Sequence, residues 1–98
     1  MKKKVKAKKV AVDHPYQIGK SYFIRTVTMY YTGKLESVLA GELVLSSAAW
    51  IADTGRLSDA LRSGIFNEIE PFPGDVVVSR GCITDASVWL HPLPVSQK

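Results

Sequence analysis

The densest chemistry in this sequence is the stretch Trp50-Ile51-Ala52-Asp53-Thr54-Gly55-Arg56. An indole at the end of an apolar run can stack on a base or fill a subunit contact. Asp53 and Thr54 offer an acceptor and a hydroxyl, and Gly55 lets the backbone approach a ligand closely. Arg56 can grip a phosphate with paired N–H donors. Arg80-Gly81 repeats the last two ingredients, and Arg25 adds a third cation inside a run of strand formers, where full burial is unusual. Trp50, Asp53, Thr54, Gly55, Arg56, Arg80, Gly81 and Arg25 are therefore expected to line one pocket for an anionic ligand, formed between subunits, with arginines on phosphate and the aromatic on a base. Purely structural roles compete: Trp50 in the core, Asp53 or Thr54 as a helix cap, and Arg56 paired with Asp59 or Glu70.

Other motifs support no reaction. Gly19-Lys20-Ser21 lacks the upstream glycine of a phosphate loop, since His14 stands there, and strand formers follow where a helix is required. His14, Cys82 and His91 match no compact zinc spacing. Asp53-Thr54-Gly55 has the aspartic-protease triplet without the rest of that pattern. Cys82, alone in a strand-like run, reads as a small buried hydrophobe. No catalytic set, metal or cofactor is expected, and the protein reads as a non-enzyme.

Composition sets the frame. The chain has 98 residues, enough for one domain with a modest core. Lys2, Lys3, Lys4, Lys6, Lys8 and Lys9 supply six of the thirteen basic residues. Residues 1–12 thus read as a basic, disordered tail able to attract nucleic acid, and 13–98 as a single β-rich domain. From Ala11 onward seven basic residues face nine acidic ones, so the domain itself is slightly acidic. No apolar run is long enough to cross a bilayer, and the N-terminus lacks the apolar region of a secretory signal. A lone cysteine fits a reducing compartment, and a cytoplasmic location is expected.

Ser21–Tyr31 is rich in β-branched and aromatic residues and reads as one strand covered on both faces. Thr32-Gly33-Lys34 should break or bend it. Leu35–Leu39, a turn at Ala40-Gly41 and a return strand Glu42–Ile51 form a hairpin. In the return strand Leu43, Leu45, Ser47, Ala49 and Ile51 are expected on one face. A short helix follows near Leu57–Ser63, capped by Thr54 or Ser58 and ended by Gly64. Val76–Arg80 and Cys82–Leu90 complete a mainly β fold: a strongly bent antiparallel sheet or small barrel of four to five strands with one short helix. Open sheet edges and many aromatics point to a homo-oligomer.

The segments "YYTGKLESVLAGELVLSSAAWI" and "VVVSRGCITDA" resemble the two motifs of Sm-like proteins. That resemblance implies a bent five-stranded sheet of SH3-like shape, ring assembly, and binding of RNA or nucleotides. The Asp-x-φ-x-Asn signature of the family is missing, so the architecture carries over and uridine recognition does not. "GKSYFIRTVTMYYTGKL" and "WIADTGRLSDAL" are also similar to small phage and prophage proteins. This second resemblance implies an accessory product in a bacterial host's cytoplasm that opposes host defence. It would do so by sequestering a nucleotide signal, a cyclic one included, or by capping a host defence protein. An Sm-like RNA- or DNA-binding module using the lysine tail is the further alternative.

Overall fold

The computed structural model describes residues 14–98; the lysine tail expected over 1–12 lies outside the described residues. The first strand, β1, spans Ser21–Thr26. Tyr22, Phe23 and Ile24 are all buried in it, as its doubly apolar pattern predicts. It ends earlier than expected. The chain reverses at Val27-Thr28, where no Gly, Pro or Asn marks a turn. Thr26 does the work instead. Its Oγ1 accepts the N–H of Met29 at 2.9 Å and of Thr28 at 3.3 Å, and donates to the Met29 carbonyl at 2.7 Å. A side chain that satisfies the turn's backbone groups here replaces the usual turn residues.

β2 (Tyr30–Val38) runs unbroken through Gly33, where its register against β3 (Glu42–Asp53) shifts, and the two strands pair across the expected Ala40-Gly41 turn. Helix α1 covers Leu57–Ser63, and Gly64 ends it at φ 77° with its N–H on the Ala60 carbonyl. The expected cap does not form. Arg56 occupies the N-cap position without a side-chain bond; Ser58 lies inside the helix, and Thr54, two residues before the N-cap, has its Oγ1 donating to the Gly55 carbonyl at 2.6 Å. β4 (Glu68–Pro71), β5 (Val76–Ser79) and β6 (Ile83–Val88) follow, with a 3₁₀ turn over Arg80–Cys82. β4 carries no strand signal of its own, being half glutamate and ending in Pro71. Proline is tolerated there because the strand lies at the sheet edge.

All pairings are antiparallel, in the order β4-β3-β2-β1-β6, with β5 also on β3. The sheet therefore has six strands rather than four or five. It is not closed into a barrel: β5 stays on β3 and β6 on β1, joined through the 3₁₀ turn without a ladder between them.

Both faces of this sheet carry a core. Tyr22, Ile24, Leu35, Leu43, Leu45, Ala48 and Val78 form the first cluster. Phe23, Ala49, Ile51, Ala60, Phe66, Ile69 and Trp89 form the second, under α1. Neighbours on β1, such as Tyr22 and Phe23, enter different clusters because successive side chains point to opposite faces. The long strand β3 serves both by an inserted residue. Lys34 pairs with Ser46, but Thr32 pairs with Ala49, so β3 has one residue too many between them. Ser47 takes up the excess at φ 48°, the single left-handed non-glycine among the described residues. This bulge reverses the alternation. Leu43 and Leu45 face the first cluster, while Ala49 and Ile51 face the second, contrary to the expectation of one continuous apolar face. Gly33 lies across the bulge, where a Cβ would stand 2.9 Å from the Leu45 Cβ and 3.3 Å from the Ala48 Cβ.

Gly33→Ala is expected to lower stability by about 1–3 kcal/mol, because the added methyl is forced against two buried side chains. Urea unfolding monitored by circular dichroism measures this. Next to it, Thr32 is fully buried and its Oγ1 has no hydrogen-bond partner. Thr32→Val removes that orphaned hydroxyl and is expected to raise stability by about 1 kcal/mol; a loss in the same assay would show that the hydroxyl is satisfied.

Candidate functional site

The expected site residues sit on rigid strands and tight turns, but not together. Asp53 and Arg56 lie at one end of β3. Arg80 lies at the other, where its backbone N–H donates to the Gly41 carbonyl at 2.9 Å. The 12 residues of β3 separate them, roughly 35 Å of extended chain. Within one chain, Arg56 and Arg80 cannot hold one phosphate.

Two of the three arginines are also committed elsewhere. Arg80 Nη1 donates to the Leu39 carbonyl at 2.7 Å, and its guanidinium lies 5.9 Å from the Tyr16 ring centroid. It fastens the 3₁₀ turn to the β2–β3 hairpin, with Gly81 in the same turn. Arg25 grips Asp85 across β1 and β6 with two donors, Nε to Oδ1 at 2.8 Å and Nη2 to Oδ2. This hydrogen-bonded pair holds the Asp85 carboxyl below its ordinary pKa and Arg25 above its own. The pair borders a cleft of about 300 Å³ floored by Phe23, Leu57 and Leu61.

The Asp53–Arg56 corner turns the chain. Asp53 Oδ1 accepts the Gly55 N–H at 2.8 Å, and Gly55 takes φ 68°. Arg56 then starts α1, its carbonyl receiving the N–H groups of Asp59 and Ala60, both at 3.0 Å. The alternative pairing of Arg56 with Asp59 or Glu70 does not occur. Asp59 pairs with Arg62 at 2.6 Å, and Glu70 accepts from Gln97. Arg56 makes no ion pair among the described residues. Cys82 is half-buried in the 3₁₀ turn and packs on the first cluster. Among the described residues no group of three His, Cys, Asp or Glu side chains is placed to hold a metal ion.

Trp50 is different. It is 38 % exposed on β3, so it is not the core residue of the structural alternative. Tyr31 stands directly opposite it on β2, and Glu70 directly opposite it on β4. The Tyr31 hydroxyl meets Met29 Sδ at 3.3 Å, and the Tyr31 ring lies 6.1 Å from that of Phe72. Met29, Trp50 and Phe72 are all exposed. These four side chains form one connected aromatic and apolar patch. A cleft of about 310 Å³ beside it runs between Thr26–Tyr30 and Trp50–Ala52. A second cleft of about 390 Å³ borders Phe72, Ser46, Ser47 and Asp75. Nothing in the sequence groups Tyr31, Met29, Phe72 and Glu70 with Trp50. Only the β2–β3–β4 register brings them to Trp50.

The chain matches no family model, no curated protein and no solved structure, so the reading of this face rests on its geometry. No helix among the described residues is long and apolar enough to cross a membrane.

The Arg25–Asp85 pair makes a pH prediction. The Asp85 carboxyl has a folded-state pKa below its unfolded value of about 3.9. The pair therefore stabilises the fold above that pH, and the contribution is lost as pH falls through the depressed folded value. It is small, because both side chains are solvent-accessible. Asp85→Asn is expected to flatten the acid limb of a plot of melting temperature against pH below about pH 4. Parallel limbs in both proteins at low salt would refute the coupling.

Proposed function

We propose that this protein is a small, non-catalytic binding module that acts by occupying a partner on the Trp50 face. The observation that carries the reading is the exposed cluster of Met29, Tyr31, Trp50 and Phe72 on a sheet held from both sides by packed cores. Apolar and aromatic side chains gathered at the surface, rimmed by polar groups, are what a contact surface requires. Their rigid backbone means that little entropy is lost on binding.

Of the partners considered from the sequence, a protein fits this face best. A phosphate would meet Glu70 beside Trp50, while Arg25 and Arg80 are engaged away from the patch. The setting we favour is therefore that of a phage-type accessory protein which caps a host defence protein in the bacterial cytoplasm. Sequestration of a small nucleotide, a cyclic one included, is the second reading and rests on one specific observation. The cleft beside the Trp50 indole is large enough for a base, and Arg56, at the same end of β3, makes no ion pair among the described residues. A nucleic-acid role through the lysine tail draws no support from the described surface.

Assembly enters through the edges. β5 and β6 each have one neighbouring strand, and neither carries Pro, Lys or Arg. Val77 and Val88 are exposed on them. Such edges are templates for pairing with another copy. An Sm-like ring is one arrangement consistent with two unlike open edges, since head-to-tail contacts between different surfaces generate rings or filaments.

Native mass spectrometry of protein purified from bacteria tests both parts. The wild type is expected as a homo-oligomer, and Val77→Lys, which places a charge on the β5 edge, is expected as a monomer. A wild-type monomer at high concentration removes the oligomer. For the binding face, Trp50→Ala is expected to abolish the capture of a protein partner that the wild type shows, while leaving the thermal melt nearly unchanged. A nucleotide-sized adduct that persists in Glu70→Ala and is lost in Arg56→Ala would replace the protein partner with the second reading.

A further inference from the structure

The Trp50 face is apolar at its centre and acidic at its rim. Glu70 stands opposite Trp50, and Asp75 borders the cleft that holds Phe72. A surface of this kind fits a partner segment that alternates lysines with small apolar residues. The chain supplies such a segment itself. Residues 1–13 read MKKKVKAKKVAVD, with six lysines among Val5, Val10 and Val12.

Geometry puts this segment within reach. The described chain enters over the first cluster, on the sheet face that Trp50 shares, with the Tyr16 ring centroid 5.9 Å from the Arg80 guanidinium. Tyr16 packs on the first core cluster, edge-on to Tyr22 at 5.9 Å between ring centroids, and Tyr31 packs on that cluster too. Tyr22 pairs with Gly33, only two positions along β2 from Tyr31, roughly 7 Å. Thirteen residues can span up to about 45 Å, so length does not limit contact with Trp50. An ammonium over an indole face gains from the ring quadrupole, and pairing with Glu70 or Asp75 adds charge attraction that salt weakens.

We propose that residues 1–13 dock across the Trp50 face of their own chain, with lysines on Glu70, Asp75 and the Trp50 ring. This rests on the reading of that face as the contact surface. The lysine segment is then an internal occupant that a partner must displace, rather than a separate nucleic-acid arm.

The test compares the full chain with protein lacking residues 1–12, each also as Trp50→Phe to subtract the fluorescence of buried Trp89. Circular dichroism confirms that the truncated form folds. At low salt, acrylamide quenching of Trp50 is expected to rise on truncation and to fall again when a synthetic peptide of residues 1–13 is added. Glu70→Gln should weaken that rescue, and high salt should abolish it. Unchanged quenching on truncation, or a peptide without effect, overturns the proposal. Protection of Trp50 that depends on protein concentration overturns it in favour of a second copy, and protection that appears only with added oligonucleotide overturns it in favour of nucleic acid. Should tail docking fail while Trp50→Ala still abolishes partner capture, the contact surface stands and only its internal occupant is lost.

Discussion

The fold depends on one extra residue in β3. Ser47 at φ 48° opposite Gly33 lets a single strand put Leu43 and Leu45 into one core and Ala49 and Ile51 into the other. A regular strand would give all four side chains to the same face. The second cluster would then lose its anchor on β3, and α1 would have nothing to cover. The same reversal puts Trp50 on the face of the first cluster, with Ala48. The left-handed conformation of a serine costs on the order of 1 kcal/mol. That is small beside the burial of Ile51 and Phe66, so the packed cores decide the backbone.

The exposed patch follows from this arrangement. Trp50 leaves the second core and reaches the first face beyond the end of the first cluster, where no helix lies over it. Tyr31 and Glu70 are fixed beside it by ladder register, and Phe72 arrives through the loop after β4, whose N–H donates to the Ala48 carbonyl at 2.9 Å. Arg25 and Arg80, by contrast, close the structure on itself. Arg25 ties β6 to β1, and Arg80 ties the last 3₁₀ turn to the first long hairpin.

What the sequence reveals divides along a physical line. Local signals were readable: strand formers in Ser21–Thr26, the Ala40-Gly41 turn, and helix α1 with its Gly64 stop all stand where composition puts them. Signals that depend on a distant partner were not. The Val27-Thr28 turn is built by a threonine that looks like any strand residue. β4 exists because the end of β3 offers it a ladder, not because Glu68–Pro71 favours a strand. The Ser47 bulge is legible only beside Gly33. Trp50 stands out in the sequence by its own chemistry, whereas its neighbours on the exposed patch require the register. Three well-spaced arginines suggested a phosphate grip, yet spacing in sequence says nothing about which carboxylate or carbonyl each will find.

The pairing of β1 with β6 also has a consequence in time. Arg25 and Asp85 are 60 positions apart, so the outer edge of β1 gains its neighbour last. A ribosome adding about 5–20 residues per second leaves that edge without its partner for roughly 3–12 s. During that interval the β1–β2 and β2–β3 hairpins can already form, since their contacts are local. The growing chain therefore carries an unprotected strand edge through most of its synthesis, and arrival of the final strand is the moment at which its exposure to neighbouring chains ends.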